Sequence, residues 1–145
     1  MALAQLSIAQ RILKHTGHLP PCAVVQKADG SLIYAELPDD RQLWGVLLSA
    51  LLSWENAQRY FVLAEAWACD LQVDGPDPVQ ALPILPVRDN PLRYDIILVA
   101  AIERTGHLLV VHQQFTHESK GIKLFEPRVF MGEVRLPSLP TCWSS

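Results

Sequence analysis

The stretch from Asp40 to Gln72, DRQLWGVLLSALLSWENAQRYFVLAEAWACDLQ, decides the fold. Its first half has the spacing of an amphipathic helix, with large apolar side chains three or four positions apart. These are Leu43, Leu47, Leu51 and Trp54. The second half, from Tyr60 to Cys69, is apolar on nearly every side, which favours a buried strand. The sequence therefore predicts a helix followed by a strand, and one long helix over 40–71 is the alternative because helical spacing also continues to Leu71.

The residues before this stretch predict a helix, a hairpin and a helix cap. Residues 2–15 have helical spacing, and their apolar stripe is formed by Leu3, Leu6, Ala9 and Leu13. Two β-rich runs, CAVVQKA and SLIYAEL, then flank Asp29-Gly30, a dipeptide typical of a tight hairpin turn. Asp39, with Gln42 three positions later, is the expected N-cap of the second helix.

The residues after this stretch predict a long connection and then a meander. Five prolines between Val73 and Arg93 indicate a semi-rigid loop, because each proline removes a backbone donor and fixes φ. Beyond it, the runs YDIILVAAIER, HLLVVHQQFTH and KLFEPRVFMGEVRL are separated by Thr105-Gly106 and by a turn at 118–121, as in an antiparallel meander. Pro127 would cost the third run a ladder hydrogen bond, so that run should lie at an edge or split into two strands.

Together these elements predict a single α+β domain over residues 1–145. Its antiparallel β-sheet should have about five to six strands, with two helices packed on one face. The order of elements is similar to that of cone-shaped domains of the nuclear transport factor 2-like kind, although no sequence motif is shared. This resemblance implies a cone-shaped α+β fold and says little about function, because one fold hosts many activities.

Composition and charge argue against several classes of protein. The chain has 145 residues, of which 50% are hydrophobic and 19% charged, so it can form one core. Because no apolar run reaches the roughly 18 residues of a membrane span and no export signal is visible, we expect a soluble, cytoplasmic protein without membrane association. Three cysteines without CxxC spacing indicate neither a disulfide framework nor a zinc ribbon. A net charge of −3 with scattered basic residues argues against nucleic-acid binding.

Glu65 is the only ionisable side chain between Tyr60 and Cys69. In a strand it would share the bulky apolar face with Trp67, where a carboxylate must be paired, neutral or open to a cavity. The favoured interpretation is a structural ion pair. The possible partners are Arg93, Arg104, Arg128, Arg135 and the histidines of the meander. The alternative is a catalytic acid or base with a raised pKa, in a pocket floored by Trp67.

His112 is the second weak catalytic candidate. Strand alternation places it on one face with Gln114 and Thr116, and opposite His117, so the two histidines cannot bind one metal from a regular strand. No HxH, HExxH or CxxC spacing, phosphate loop or nucleophile motif is present. We therefore predict no metal site and no cofactor, and His112 is either a polar pocket residue or part of a solvated sheet face.

Two further segments are candidates for binding a partner. The stretch LPILPVR at 82–88 resembles ligands of SH3 domains, which bind as polyproline II segments. Its candidate binding residues are Leu82, Pro83, Leu85, Pro86 and Arg88. The same apolar residues could instead fix the loop to its own core. In the tail, Trp143 would be an unusual exposed side chain, so we expect it to pack on this subunit or on another.

Two functional hypotheses follow. The favoured one is a small, soluble, non-enzymatic protein that binds a protein partner or self-associates as a homo-oligomer, through the meander edge, the proline loop and the tail. The alternative is a pocket enzyme or small-ligand-binding domain lined by Glu65, Trp67 and His112, with Glu65 as acid or base. The sequence identifies neither the partner or ligand nor the biological process.

Overall fold

The structure, a computed structural model, describes residues 2–68, 91–105 and 107–132, with side chains as far as residue 129. Two helices and six strands lie in these ranges, and a single 3₁₀ turn, Arg41–Leu43, precedes the second helix. In chain order the elements are α1 (Ala2–Thr16), β1 (Cys22–Lys27), β2 (Leu32–Glu36), α2 (Trp44–Trp54), β3 (Ala57–Ala68), β4 (Tyr94–Glu103), β5 (Leu108–Glu118) and β6 (Gly121–Gly132).

The six strands form one antiparallel sheet in the order β2-β1-β3-β4-β5-β6. The predicted α+β class and antiparallel sheet are confirmed. The helix-then-strand interpretation is also confirmed, because α2 ends at Trp54 and β3 begins at Ala57. Asn56 makes the change of direction with φ of 50°, in the left-handed region that asparagine tolerates better than most residues.

The two helices cover opposite faces of the sheet. In β3, Phe61 and Leu63 pack in the cluster that includes the buried side of α1, whereas Tyr60 and Val62 pack in the cluster that includes the buried side of α2. The sequence predicted both helices on one face, and the structure corrects that detail. The physical reason is that β3 is apolar on both faces, so a helix must shield each face from water.

Helix α1 buries three of the four residues of the predicted stripe, together with two others. Its buried residues are Ala2, Gln5, Leu6, Ala9 and Leu13. Leu3, predicted to be in this stripe, is exposed, and Gln5 is buried in its place. The helix ends at Thr16, and the next residue is Gly17, whose N–H donates to the carbonyl of Leu13 at 2.7 Å and whose φ of 78° suits glycine.

Helix α2 buries a different side from the one its spacing predicted. The buried residues are Trp44, Leu48 and Leu52. The predicted N-cap at Asp39 is wrong: α2 has no side-chain cap, and the preceding 3₁₀ turn is capped by Asp40, whose carboxylate oxygen accepts a hydrogen bond from the Gln42 N–H at 3.0 Å. Within the described residues no helix combines the length and the apolar character needed to cross a bilayer.

The turn between β1 and β2 is the predicted hairpin. Gly30 has φ of 87°, and Asp29 Oδ1 accepts hydrogen bonds from the N–H and hydroxyl of Ser31 at 2.9 and 2.6 Å. These bonds, chiefly the one from the hydroxyl, hold the pKa of Asp29 below its usual value. The aspartate side chain thus closes the turn, and glycine supplies the positive φ that the turn needs.

The position of β6 agrees with the effect expected of proline. Pro127 lies opposite Gln113 of β5, next to a shift in register before Phe115, and β6 is an edge strand among the strands that the structure describes. The Gln113 side-chain amide donates to the carbonyl of Phe125 at 2.6 Å, so a side chain supports the backbone at this irregularity. The predicted edge position of Pro127 is confirmed.

Cys22, at the start of β1, should be slow to react. Burial raises the pKa of its thiol, and the neighbouring Glu36 carboxylate raises it further. Less thiolate, the nucleophilic form, is then present near pH 8. With Cys69 and Cys142 replaced by serine, we expect alkylation of Cys22 by iodoacetamide to be severalfold slower in the folded protein than in urea. Equal rates in both conditions would contradict this environment.

Candidate functional site

The Glu65 carboxylate holds the connection between α1 and β1 against the sheet. Its Oε1 accepts a hydrogen bond from the backbone N–H of Leu19 at 2.7 Å and lies 3.3 Å from Nδ1 of His18. Leu19 is only 1% exposed, so its N–H has little access to water. These contacts differ from the ion pairs with arginines or meander histidines that the sequence suggested. They give the carboxylate a structural role, as the acceptor for a buried backbone donor.

The backbone carbonyl of Glu65 is held by the side chain of Arg41, along the edge of β3 that pairs with β1. β1 pairs with β3 only from Ala57 to Leu63, so Glu65 lies just beyond the end of β1. There Arg41 Nη2 donates to the Glu65 carbonyl at 2.7 Å, and the Arg41 guanidinium lies 5.2 Å from the ring centroid of Trp44. A side chain from the turn before α2 therefore replaces the missing strand partner.

The cavity beside Glu65 is small. Its volume is about 160 Å³, well below the roughly 300 Å³ at which ligand pockets begin. Its lining residues are His18, Leu19, Pro21, Asp39, Arg41, Trp44, Ala64 and Glu65. A space of this size suits a few water molecules better than a substrate.

Trp67 lies on the same face of β3 as Glu65 but does not line the cavity of about 160 Å³ beside that carboxylate. Half of its surface is exposed, and the Arg93 guanidinium lies 5.0 Å from its ring centroid, a cation–π arrangement. Trp67 is opposite Asp95 in the register of β3 and β4. The described surroundings of Trp67 are therefore a charged, partly exposed part of the surface.

His112 lies on the face of the sheet opposite Glu65. Glu65 pairs with Ile97 and His112 pairs with Leu98, and adjacent positions in β4 point to opposite faces. The two catalytic candidates therefore cannot act on one substrate. His112 instead lines a separate cavity of about 420 Å³. The other lining residues are Tyr94, Gln114, Phe125, Glu126, Pro127 and Arg128.

A third cavity was not anticipated from the sequence. It has a volume of about 360 Å³ and lies next to Ala2 at the start of α1, with apolar walls that include Phe61 and Leu109. Arg59 and Glu103 stand at its polar side, with their side-chain Nη2 and Oε1 atoms 3.5 Å apart. These residues come from the start of α1 and from three strands, so only the fold brings them together.

The outer face of α2 is the most exposed apolar surface in the described part of the chain. We define it by Leu43, Val46, Leu47, Ala50 and Trp54. The four large side chains are 50%, 74%, 48% and 87% exposed, in chain order. The helix Trp44–Trp54 contains no charged residue, and it packs on β3 through its opposite side. This surface has the composition of a site that another protein covers.

A sequence signal for this outer face existed. LWGVLLSALLSW has apolar side chains on two sides of the helix, and a helix that is hydrophobic all round is normally covered all round. At about 100° per residue, the outer face is centred about 140° around the helix from the buried stripe. None of the five residues of this face was identified as a site residue from the sequence.

The remaining candidates lie outside the described residues, and their roles stay predictions. They are Leu82, Pro83, Leu85, Pro86, Arg88 and Trp143. Among the described residues, no group of three or more His, Cys, Asp or Glu side chains could hold a metal ion. Comparison of the chain with protein-family models, with curated proteins and with solved structures gave no match.

Proposed function

We propose that this is a non-enzymatic, cytoplasmic protein-binding or assembly protein that acts through the outer face of α2. The observation that carries the proposal is the exposure of Trp54 and Val46, at 87% and 74%, on a helix without charge. The sequence predicted an assembly protein that acts through the meander edge, the proline loop and the tail, whereas the exposed apolar side chains favour a contact through α2.

The size of this face supports a role in binding. Its exposed apolar side chains amount to roughly 500 Å², comparable to the largest apolar patch on a typical monomer, which is often functional. Burying such a surface is favourable because apolar area leaves water. Trp54 is also the type of residue that often dominates interface energetics, since a large ring loses most of its contact with water on binding.

We expect Val46→Glu to weaken the native assembly at least about tenfold without unfolding the protein, because an unpaired carboxylate would be placed in an apolar contact. Native mass spectrometry of the protein purified from its own host measures the assembly, and urea unfolding checks the fold. Ser49→Glu is the matched control, because Ser49 is exposed on the same helix but lies off the outer face. Assembly that Val46→Glu leaves intact would contradict the proposal.

A second candidate function is supported by the cavity at His112. Its volume of about 420 Å³ is within the range of ligand sites, and Tyr94, Gln114 and Arg128 line it with polar groups. Such a lining, which also includes Glu126, would suit a small polar molecule. In the same mass spectra, a small bound adduct that is lost in His112→Ala and retained in Val46→Glu would favour this candidate.

A further inference from the structure

We propose that the occupant of the outer face of α2 is α2 of a second copy of this chain, packed antiparallel about a two-fold axis. This inference rests on the proposed function and names its partner. An isologous contact needs a surface that is complementary to itself, and both the spacing and the composition of α2 have that property.

The spacing of the outer face suits a helix pair. Leu43, Leu47, Ala50 and Trp54 are separated by four, three and four positions, the spacing of the seam in paired helices. With a two-fold axis midway between Leu47 and Ala50, Leu47 of each copy meets Ala50 of the other. The same axis places Leu43 of each copy beside Trp54 of the other. At the centre of the pair, the large Leu47 of one copy thus faces the small Ala50 of the other. At each end of the pair, Leu43 of one copy packs beside Trp54 of the other.

The composition of α2 favours a second copy over a charged partner. With no charged side chain between Trp44 and Trp54, the helix offers nothing to pair with acidic or basic residues of another protein. It also offers no like charges that would repel a second copy. In an antiparallel pair the helix dipoles also oppose one another favourably.

The size of the contact predicts a reversible dimer. The 11 residues of α2 span about 16 Å, and two outer faces would together bury roughly 1,000 Å², at the low end for specific interfaces. We therefore expect dissociation in the micromolar range. Two other occupants compete with a second copy: a segment of the same chain outside the described residues, 69–90 or 133–145, and a different protein.

The test is sedimentation equilibrium of the full chain from about 1 to about 500 μM, a range that brackets micromolar dissociation. We expect the mass to rise with concentration from 16.2 kDa towards twice that value. Ala50→Lys and Ala50→Glu are each expected to weaken the dimer at least about tenfold, because residue 50 lies in the seam. An equimolar mixture of the two variants should restore a dimer that contains one of each, identified by native mass spectrometry.

Ser49→Lys and Ser49→Glu are the matched controls, since Ser49 is exposed on the same helix outside the seam, and they should dimerise like the unchanged protein. A monomer over the whole range would overturn the inference. A dimer that tolerates both charges at residue 50, or charged variants that fail to pair when mixed, would also overturn it. The proposed function has a separate test, because Val46→Glu can still disrupt a complex with a different protein from the host when the purified chain is monomeric.

Discussion

Replacing Phe61 by alanine is expected to lower the free energy of unfolding by about 3–5 kcal/mol, the usual cost of removing a buried aromatic ring. Phe61 lies in the middle of β3, opposite Val24 of β1 and Ala101 of β4, and packs in the cluster beneath α1. Only 1% of it is exposed, so alanine would leave a cavity that the well-paired neighbouring strands cannot close. The effect should be large because β3 is a central strand of the sheet.

Urea unfolding, followed by circular dichroism, measures this loss. Phe125→Ala is the matched control, because the same ring is removed from β6 at a position that is exposed. We expect that control to cost about 1 kcal/mol or less, as for most surface substitutions. Similar losses for the two variants would contradict the assignment of Phe61 to the core.

Replacing Glu65 by alanine is expected to cost about 1–3 kcal/mol, because the N–H of Leu19 would lose its acceptor while it stays buried. Glu65→Gln should cost less than Glu65→Ala, since the amide carbonyl oxygen can still accept this hydrogen bond. The same urea unfolding measures both variants. Glu118→Ala, at an exposed strand end, is the control and should change stability by about 0.5 kcal/mol or less.

The relative stabilities of these two variants also distinguish a structural Glu65 from a catalytic one. If Glu65 is structural, stability should follow the order of unchanged protein, glutamine variant and alanine variant. A catalytic carboxylate would give a different result, because glutamine would remove an activity while leaving stability nearly unchanged. Equal stability of all three proteins would contradict the structural role of the bond to Leu19.

The elements of the fold could be predicted because their signals are local. Asp29-Gly30 specifies a tight turn through its own backbone preferences, and Pro127 belongs at an edge because it lacks an N–H. The side of α2 that faces the core could not be predicted in this way. Its apolar residues lie on two sides, and the predicted stripe through Leu47 and Trp54 is the one that stays exposed.

The candidate site was predictable only in part. A carboxylate at Glu65 required a partner, and that requirement followed from the apolar residues around it. The partner itself is a backbone N–H 46 positions away, and a backbone donor has no sequence signature. The separation of Glu65 from His112 depends on the register of β3, β4 and β5, which no local pattern specifies.

The placement of α1 has a consequence for synthesis on the ribosome. The amide of Gln10 donates a hydrogen bond to Gln113, which is 103 positions later in the chain, and Leu13 shares its cluster with Phe115. At ordinary rates of translation, roughly 5 to 20 seconds separate the making of Gln10 from that of its partner. Over that interval the apolar stripe of α1 has no finished sheet to cover. Contacts of α1 with β3 and β4 can form during that interval, whereas those with β5 must wait until its end, so the stripe stays partly exposed while the rest of the sheet is made.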